Sequence, residues 1–331
     1  MIPVPCPSGQ SWRQELTQAI TDPADLLRVL ELDPGLLTAA QAAGKTFPLR
    51  APRGFVARMR KGDSQDPLLR QVLPLDAETM TPPGFTNDPV GETQAMPVPG
   101  LLHKYHGRAL LIATGACAIH CRYCFRRAFP YARAGLTDWR SVLSYLNQDA
   151  SLREVILSGG DPLVLSDGRL ARMTEGLDAI PHLRRLRIHS RLPVVLPERV
   201  DRGLLAVLKS SRLQPVIVLH VNHPQEIDEA AGAAINRLRC AGVTLFNQAV
   251  LLKGVNDSAP ILAELSETLF SLGVIPYYLH LLDRVRGAAH FEVAEDQAAA
   301  IMAALRRCLP GYLTPRLVRE QAGAAAKTPV L

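Results

Sequence analysis

The run ALLIATGACAIHCRYCFRR, residues 109–127, starts as an apolar strand-like stretch and ends in three cysteines within eight positions. Cys117, Cys121 and Cys124 are followed at once by Phe125, Arg126 and Arg127. Three uses compete for such a cluster: a structural zinc, a redox dithiol and an iron–sulfur cluster. Cys121-x-x-Cys124 alone is shared by zinc knuckles and thioredoxin-like motifs. Zinc takes four ligands, and His120 offers one more, but structural zinc sites usually join two separated pairs, and no second pair follows. Three thiolates in a C-x3-C-x2-C loop suit a [4Fe–4S] cluster with one iron left without a protein ligand. Cys240 and Cys308 stand alone in helical segments and read as buried thiols, and Cys6 falls in a flexible end.

Working outward from that loop, short β-rich runs recur. After ALLIAT (109–114) come EVILS (154–158), RLRIHS (185–190), PVIVLHV (215–221), TLFNQAVLL (244–252) and PYYLHLL (276–282). Segments of helical period lie between them, as in DWRSVLSYLNQ and ILAELSETLFSLG, which is the pattern of parallel βαβ units. Polar or glycine-rich clusters follow nearly every run: the cysteines, SGGDP, HSRLP, HVNHP, KGVND and LLD. In parallel barrels the C-terminal strand ends converge on one mouth, where chemistry sits. The expected fold class is therefore α/β, a partial TIM-type barrel with a single site that includes the cysteine loop.

The first hundred residues look different. Ser11 with Gln14 forms a capping box for a helix through Ile20, and Asp22-Pro23 opens another. The proline- and glycine-rich stretch 81–100 is a loop or crossing segment. The expected organisation is an N-terminal helical extension (1–100), the barrel (101–300) and a C-terminal segment (301–331). With 331 residues and 47% apolar side chains the chain can build a large core. No signal-peptide pattern opens it and no run is long enough to span a bilayer, so a cytoplasmic, membrane-free protein is expected. The net charge of +6 comes with only six lysines and no block of basic residues, so nucleic acid is not an expected partner.

C-x3-C-x2-C with an aromatic residue, Tyr123, before its last cysteine resembles the signature of the radical S-adenosylmethionine (SAM) enzymes. That resemblance implies a partial (β/α)6 barrel in which Cys117, Cys121 and Cys124 hold a [4Fe–4S] cluster whose open iron binds SAM. Ser158, Gly159, Gly160 and Asp161 are similar to the family's glycine-rich segment that meets SAM, and Tyr123, Ser190, Arg191 and Gln248 join them by the same likeness. By itself SGGDP reads as a turn before a helix capped by Asp161.

Seven segments are similar, in order, to the lysine 2,3-aminomutase family within that group. They are VPGLLHKYHGRALLIATGACAIHCRYCFRR (98–127), SGGDPL, RIHSRLPVVLPERV (187–200), HVNHP, FNQAVLLKGVND (246–257), PYYLHLLDRVRGAAHF (276–291) and AKTPV (326–330). The resemblance implies an isomerase that uses pyridoxal 5′-phosphate (PLP) besides the cluster and SAM. It places the PLP Schiff-base lysine at Lys327, so that the tail folds back over the barrel mouth. Lys104, Tyr105 and Arg108 fall at PLP positions, Arg126 at the position that pairs with the substrate carboxylate, and Asp283 and Glu320 where acids hold the substrate's ε-ammonium. His220 and Asn222 line the same site. The family's second ammonium-binding residue is an aspartate, so Glu320 is a departure, and AGAAA replaces a glycine run before Lys327. The chain also ends four residues after Lys327, so the tetramer contacts and zinc site of the longer family members are not carried over.

The length and segments most resemble the branch that makes (R)-β-lysine from L-lysine for elongation factor P. A β-lysine ligase would then receive the product, and a flavodoxin or ferredoxin would supply electrons. Arginine, glutamate, or free β-lysine metabolism are the alternatives that this likeness leaves open.

Overall fold

Nine strands lie side by side in chain order in a single sheet. They are β1 (Leu101–Tyr105), β2 (Arg108–Thr114), β3 (Glu154–Gly159), β4 (Arg185–Ser190), β5 (Gln214–Leu219), β6 (Thr244–Val250), β7 (Ile275–His280), β8 (Arg316–Arg319) and β9 (Thr328–Pro329). This computed structural model describes residues 11–330, so Cys6 lies outside the described residues. Strands β2 to β8 are mutually parallel, while β1 and β9 pair antiparallel at the two edges. All six expected runs are strands. The expectation of six is extended, because β1, β8 and β9 are too short or too polar to stand out from loop by pattern alone.

Strand alternation sets the two faces. In β4, Leu186 and Ile188 are buried in the main core while Arg185, Arg187 and His189 occupy the other face. Val155 and Leu157 of β3 and Ile217 and Leu219 of β5 join the same core, against helices such as Trp139–Gln148, Asp167–Asp178 and Glu229–Cys240. A smaller core packs Leu279 and Leu317 against Ile301, Met302 and Leu305 of the helix Glu295–Cys308. The expected segment boundary at residue 300 falls inside that helix.

Cys240 and Cys308 correct the sequence reading, because both are exposed. Each is the last residue of its helix. There the apolar stripe has already placed Ile235 and Leu238, or Met302 and Leu305, inward.

The N-terminal helix runs Trp12–Thr17, shorter than expected. The Gln14 side chain accepts from the Ser11 backbone N–H at 2.9 Å, and Ile20 instead pairs with Ala51 as an isolated bridge. Asp22 caps the helix Pro23–Val29 as its sequence implies. No helix among the described residues is long and apolar enough to cross a membrane.

Candidate active site

The cysteine loop follows β2 and is built against residues 47–78 rather than standing free. His120 N–H donates to Arg50 O at 2.9 Å and Arg122 N–H to Gln71 O at 2.9 Å. Arg122, fully buried, donates through Nε and Nη2 to both carboxylate oxygens of Glu78 at 2.8 and 2.6 Å. Arg127 Nη2 donates to the same Glu78 at 2.6 Å, and both guanidinium groups lie over the Phe47 ring at 4.8 and 4.9 Å.

The three thiols share one electrostatic environment. Burial pushes Cys117 well up, and the charges of Cys124, Asp161 and Cys121 push it further. Burial also raises Cys124, to about 11, with Cys121 adding to the effect. Thiols crowded in this way shed their protons when bound to a cationic centre. Arg191 Nη1 donates to Cys121 Sγ at 2.8 Å. His120 is turned away, its Nδ1 on Pro48 O at 2.9 Å and its ring stacked on Phe47. No three His, Cys, Asp or Glu among the described residues gather closely enough to share one ion. Three soft thiols without a fourth side-chain donor match the ligand set of an iron–sulfur cluster with an open iron better than that of zinc.

The SGGD segment lies on the base of that loop. Gly160 N–H donates to Thr114 O at 2.7 Å and Asp161 N–H to Ala116 O at 2.8 Å. Gly159 has φ +116°, and a Cβ on Gly160 would lie 2.3 Å from Ala116 O. Both glycines are therefore demanded by backbone-to-backbone contact within the protein. Buried Asp161 accepts from Ser190 Oγ at 2.8 Å, from Leu163 N–H at 3.0 Å and from Arg191 N–H at 2.8 Å. Its carboxylate ties β3 to the end of β4.

Beside it runs a buried polar chain. Arg191 also donates to Tyr123 Oη at 3.0 Å, Gln71 Oε1 at 2.6 Å and Glu226 Oε2 at 2.9 Å. Asn222 donates to Tyr123 Oη at 2.7 Å, and His220 Nε2 lies 2.7 Å from the same hydroxyl. Burial and then the Arg191 charge bring His220 down to about 4, so its ring is neutral. Deeper in the barrel, Gln248 Nε2 is 3.1 Å from His280 Nε2. His189 Nε2 is buried without a hydrogen-bond partner among the described residues.

Glu320 joins the sheet's two edges. It accepts from Tyr105 Oη at 2.7 Å and Lys104 Nζ at 3.3 Å on β1, and from Lys327 Nζ at 2.9 Å just before β9. Burial opposes its charge, but Lys327, Tyr105 and Lys104 outweigh it and bring Glu320 down to about 2. Lys327 Nζ lies over the Tyr278 ring at 5.7 Å, and Arg108 over Tyr105 at 4.6 Å. Arg108 forms no ion pair among the described residues, which leaves a cation free for a phosphate at this edge. Asp283, after β7, has no side-chain hydrogen bond among the described residues. Burial pushes it up to about 7; Glu320 and Glu92 add to this, and Lys327 and Lys104 oppose it. Arg126 is buried with its fork on Glu92 at 2.6 and 2.7 Å.

No protein-family model matches the chain. It is 50% identical to the L-lysine 2,3-aminomutase of Escherichia coli strain K12, over 98% of this chain and 95% of that protein. Identity to the Haemophilus influenzae L-lysine 2,3-aminomutase is 47%, covering 96% and 95%. The chain belongs to the lysine 2,3-aminomutase family. The Clostridium subterminale L-lysine 2,3-aminomutase is 34% identical, over 97% of this chain and 77% of its own longer one. A radical SAM methyltransferase structure from Kitasatospora setae aligns at TM-score 0.45 and 10% identity, covering 68% of this chain and 58% of that one.

Within this lysine 2,3-aminomutase family member, the expected site residues fall into two groups in the structure. Tyr123, Asp161, Ser190 and Arg191 join the cysteine loop in one bonded network, beside which Ser158 and Gly159 accept from Arg126, while Gln248 meets His280 and joins neither group. Lys104, Tyr105, Arg108, Glu320 and Lys327 gather at the open edge, within the field of Asp283. Gln71, Glu78, Glu92, Glu226, His189 and His280 were not singled out from the sequence. Strand period signals His189 and His280, which lie on the inward face, but the others sit in aperiodic segments that carry no such signal.

Proposed function

We propose that this protein is a radical SAM and PLP-dependent isomerase that moves the amino group of L-α-lysine from C2 to C3, giving (R)-β-lysine. The reading is supported most by Lys327, whose Nζ donates to Glu320 at 2.9 Å and lies 5.7 Å over the Tyr278 ring, and whose charge acts on Asp283, His189 and His280. Cys117, Cys121 and Cys124 would hold the [4Fe–4S] cluster, and the SGGD segment with Tyr123, Ser190, Arg191 and Gln248 would border SAM. Lys104, Tyr105 and Arg108 would surround PLP, with Arg108 free to meet its phosphate. When bound, SAM on the cluster supplies hydrogen abstraction and PLP supplies the carrier for the migrating nitrogen.

The chain's own residues bind, orient and exclude. Arg126 offers the fork geometry for an α-carboxylate. Asp283 is a half-buried acid with no side-chain hydrogen bond among the described residues, a site that an ε-ammonium would stabilise in its charged form. Glu320, already anionic, holds Lys327 in place and adds negative charge at the same end. Neutral His220, with His189 and His280, keeps the interior polar without adding positive charge near the cluster. We further assign the product to elongation factor P modification through a β-lysine ligase, with flavodoxin or ferredoxin as electron donor and a cytoplasmic setting, on the family branch that the chain's segments resemble.

The test is anaerobic turnover of the reconstituted, reduced protein with SAM, PLP and L-lysine, read by chiral chromatography. (R)-β-Lysine should accumulate. Cleavage of SAM without β-lysine would remove the substrate assignment while leaving the cysteine loop's role standing.

A further inference from the structure

Arg126 already holds a carboxylate of the protein. Glu92 accepts from its Nη2 at 2.6 Å and its Nε at 2.7 Å, and Nη1 donates to Ser158 Oγ at 2.9 Å and Gly159 O at 3.2 Å. Four of the five guanidinium N–H groups are thus engaged. Both side chains are buried, and their charges cancel. A second carboxylate cannot receive a two-pronged hydrogen bond, or meet a net positive charge, while Glu92 stays in place.

The segment carrying Glu92 is built as a presenting turn. Asp88 accepts from Glu92 N–H at 2.9 Å, from Thr93 N–H at 3.1 Å and from Thr93 Oγ1 at 2.6 Å. Gly91 has φ +64°, and a Cβ there would sit 3.0 Å from the Cβ of Ala322, so the turn rests on the C-terminal segment. Val90 O accepts from Lys104 Nζ at 2.8 Å, and Lys104 in turn reaches Glu320. The turn therefore touches both ends of the pocket.

Resting on the amino-acid substrate reading above, we propose that Glu92 is a built-in occupant of the carboxylate site, which the substrate's α-carboxylate displaces from Arg126. A buried guanidinium needs a counter-charge at all times, and the exchange keeps one carboxylate on Arg126 in both states. It also makes Glu92 a specificity determinant. An amine without a carboxylate leaves the Glu92–Arg126 pair closed, whereas an α-amino acid replaces it like for like.

The experiment uses the holoprotein loaded with cluster, SAM and PLP but left unreduced, so that nothing turns over. Anaerobic calorimetry compares L-lysine with cadaverine, the same diamine without its carboxylate, in wild type and Glu92→Gln. The variant should bind L-lysine about tenfold tighter, the scale of one charge-assisted hydrogen-bond pair, with cadaverine unchanged. In wild type, L-lysine but not cadaverine should speed amide hydrogen exchange across 88–95, a readout that needs no variant. Equal or weaker L-lysine binding by a Glu92→Gln protein with full iron and PLP content overturns the proposal, as does unchanged exchange in wild type that binds L-lysine. If wild type ignores L-lysine but another α-amino acid speeds exchange at 88–95, the role of Glu92 stands and the lysine assignment falls. Binding of no α-amino acid overturns both.

Discussion

Asp283 shows at the scale of one residue how a carboxyl can be poised for a cation. Burial alone would keep its carboxyl protonated, Glu320 and Glu92 reinforce this, and Lys327 and Lys104 only partly offset it, leaving it near 7. An ammonium arriving beside it favours the ionised form. Binding of L-lysine near pH 7 should therefore release protons, seen as a binding heat that changes with the ionisation enthalpy of the buffer. Asp283→Asn should abolish that dependence. The same shift sets a stability trend. The folded value lies above the ordinary 3.8, so the folded state holds more protons between the two values, and stability falls as pH rises from about 4 to about 7. Asp283→Asn should gain stability over wild type at pH 8 relative to pH 5, on the order of 2 kcal/mol, in denaturant titrations of the metal-free protein.

Among the elements, the cysteine loop depends most on partners distant in sequence. It carries its own arginines, Arg122 and Arg127, and both pair with Glu78 from the N-terminal extension, which offsets one of their two charges. Glu78→Ala would leave two buried guanidinium groups without a counter-ion, and such a loss costs about 3–5 kcal/mol. The variant should unfold at lower denaturant and retain less iron after reconstitution. Full iron content and unchanged stability would show that the extension does not brace the loop. The SGGD turn is braced differently, by glycines that let two backbones touch at Gly160 and Ala116.

Across the whole molecule, the sheet stays open. Within the described residues β1 and β9 are edge strands, and the side chains of Lys104, Tyr105, Glu320 and Lys327 bridge them where no backbone ladder runs. Glu320 is the centre of that clasp, and its depressed value means its stabilising contribution is present above 4.5 and lost as pH falls toward 2. Glu320→Ala should raise amide exchange in β1 and in residues 320–330 at pH 7 while the interior strands β3 to β6 keep their protection. Each charge-assisted bond lost is worth about 1.5–3 kcal/mol against local opening. Uniform protection in wild type and variant would show that the edges hold without the clasp.

What the amino-acid sequence by itself determined is what repeats or clusters locally. Strand runs at regular spacing, polar clusters at their C-terminal ends, and C-x3-C-x2-C each carry their meaning within one short window. They foretold the parallel sheet and the cysteine loop's place directly after one of its strands. The tertiary structure alone decided which charges meet. Glu78 lies 44 residues before Arg122, Glu92 lies 34 before Arg126, and Glu320 lies 216 after Lys104. Such pairs follow no period, because a salt bridge across a curved sheet needs only proximity in space. Arg126 could be read from the sequence as a fork for a carboxylate, but that the fork is already filled by Glu92 emerges only when the loop 81–100 folds over the barrel.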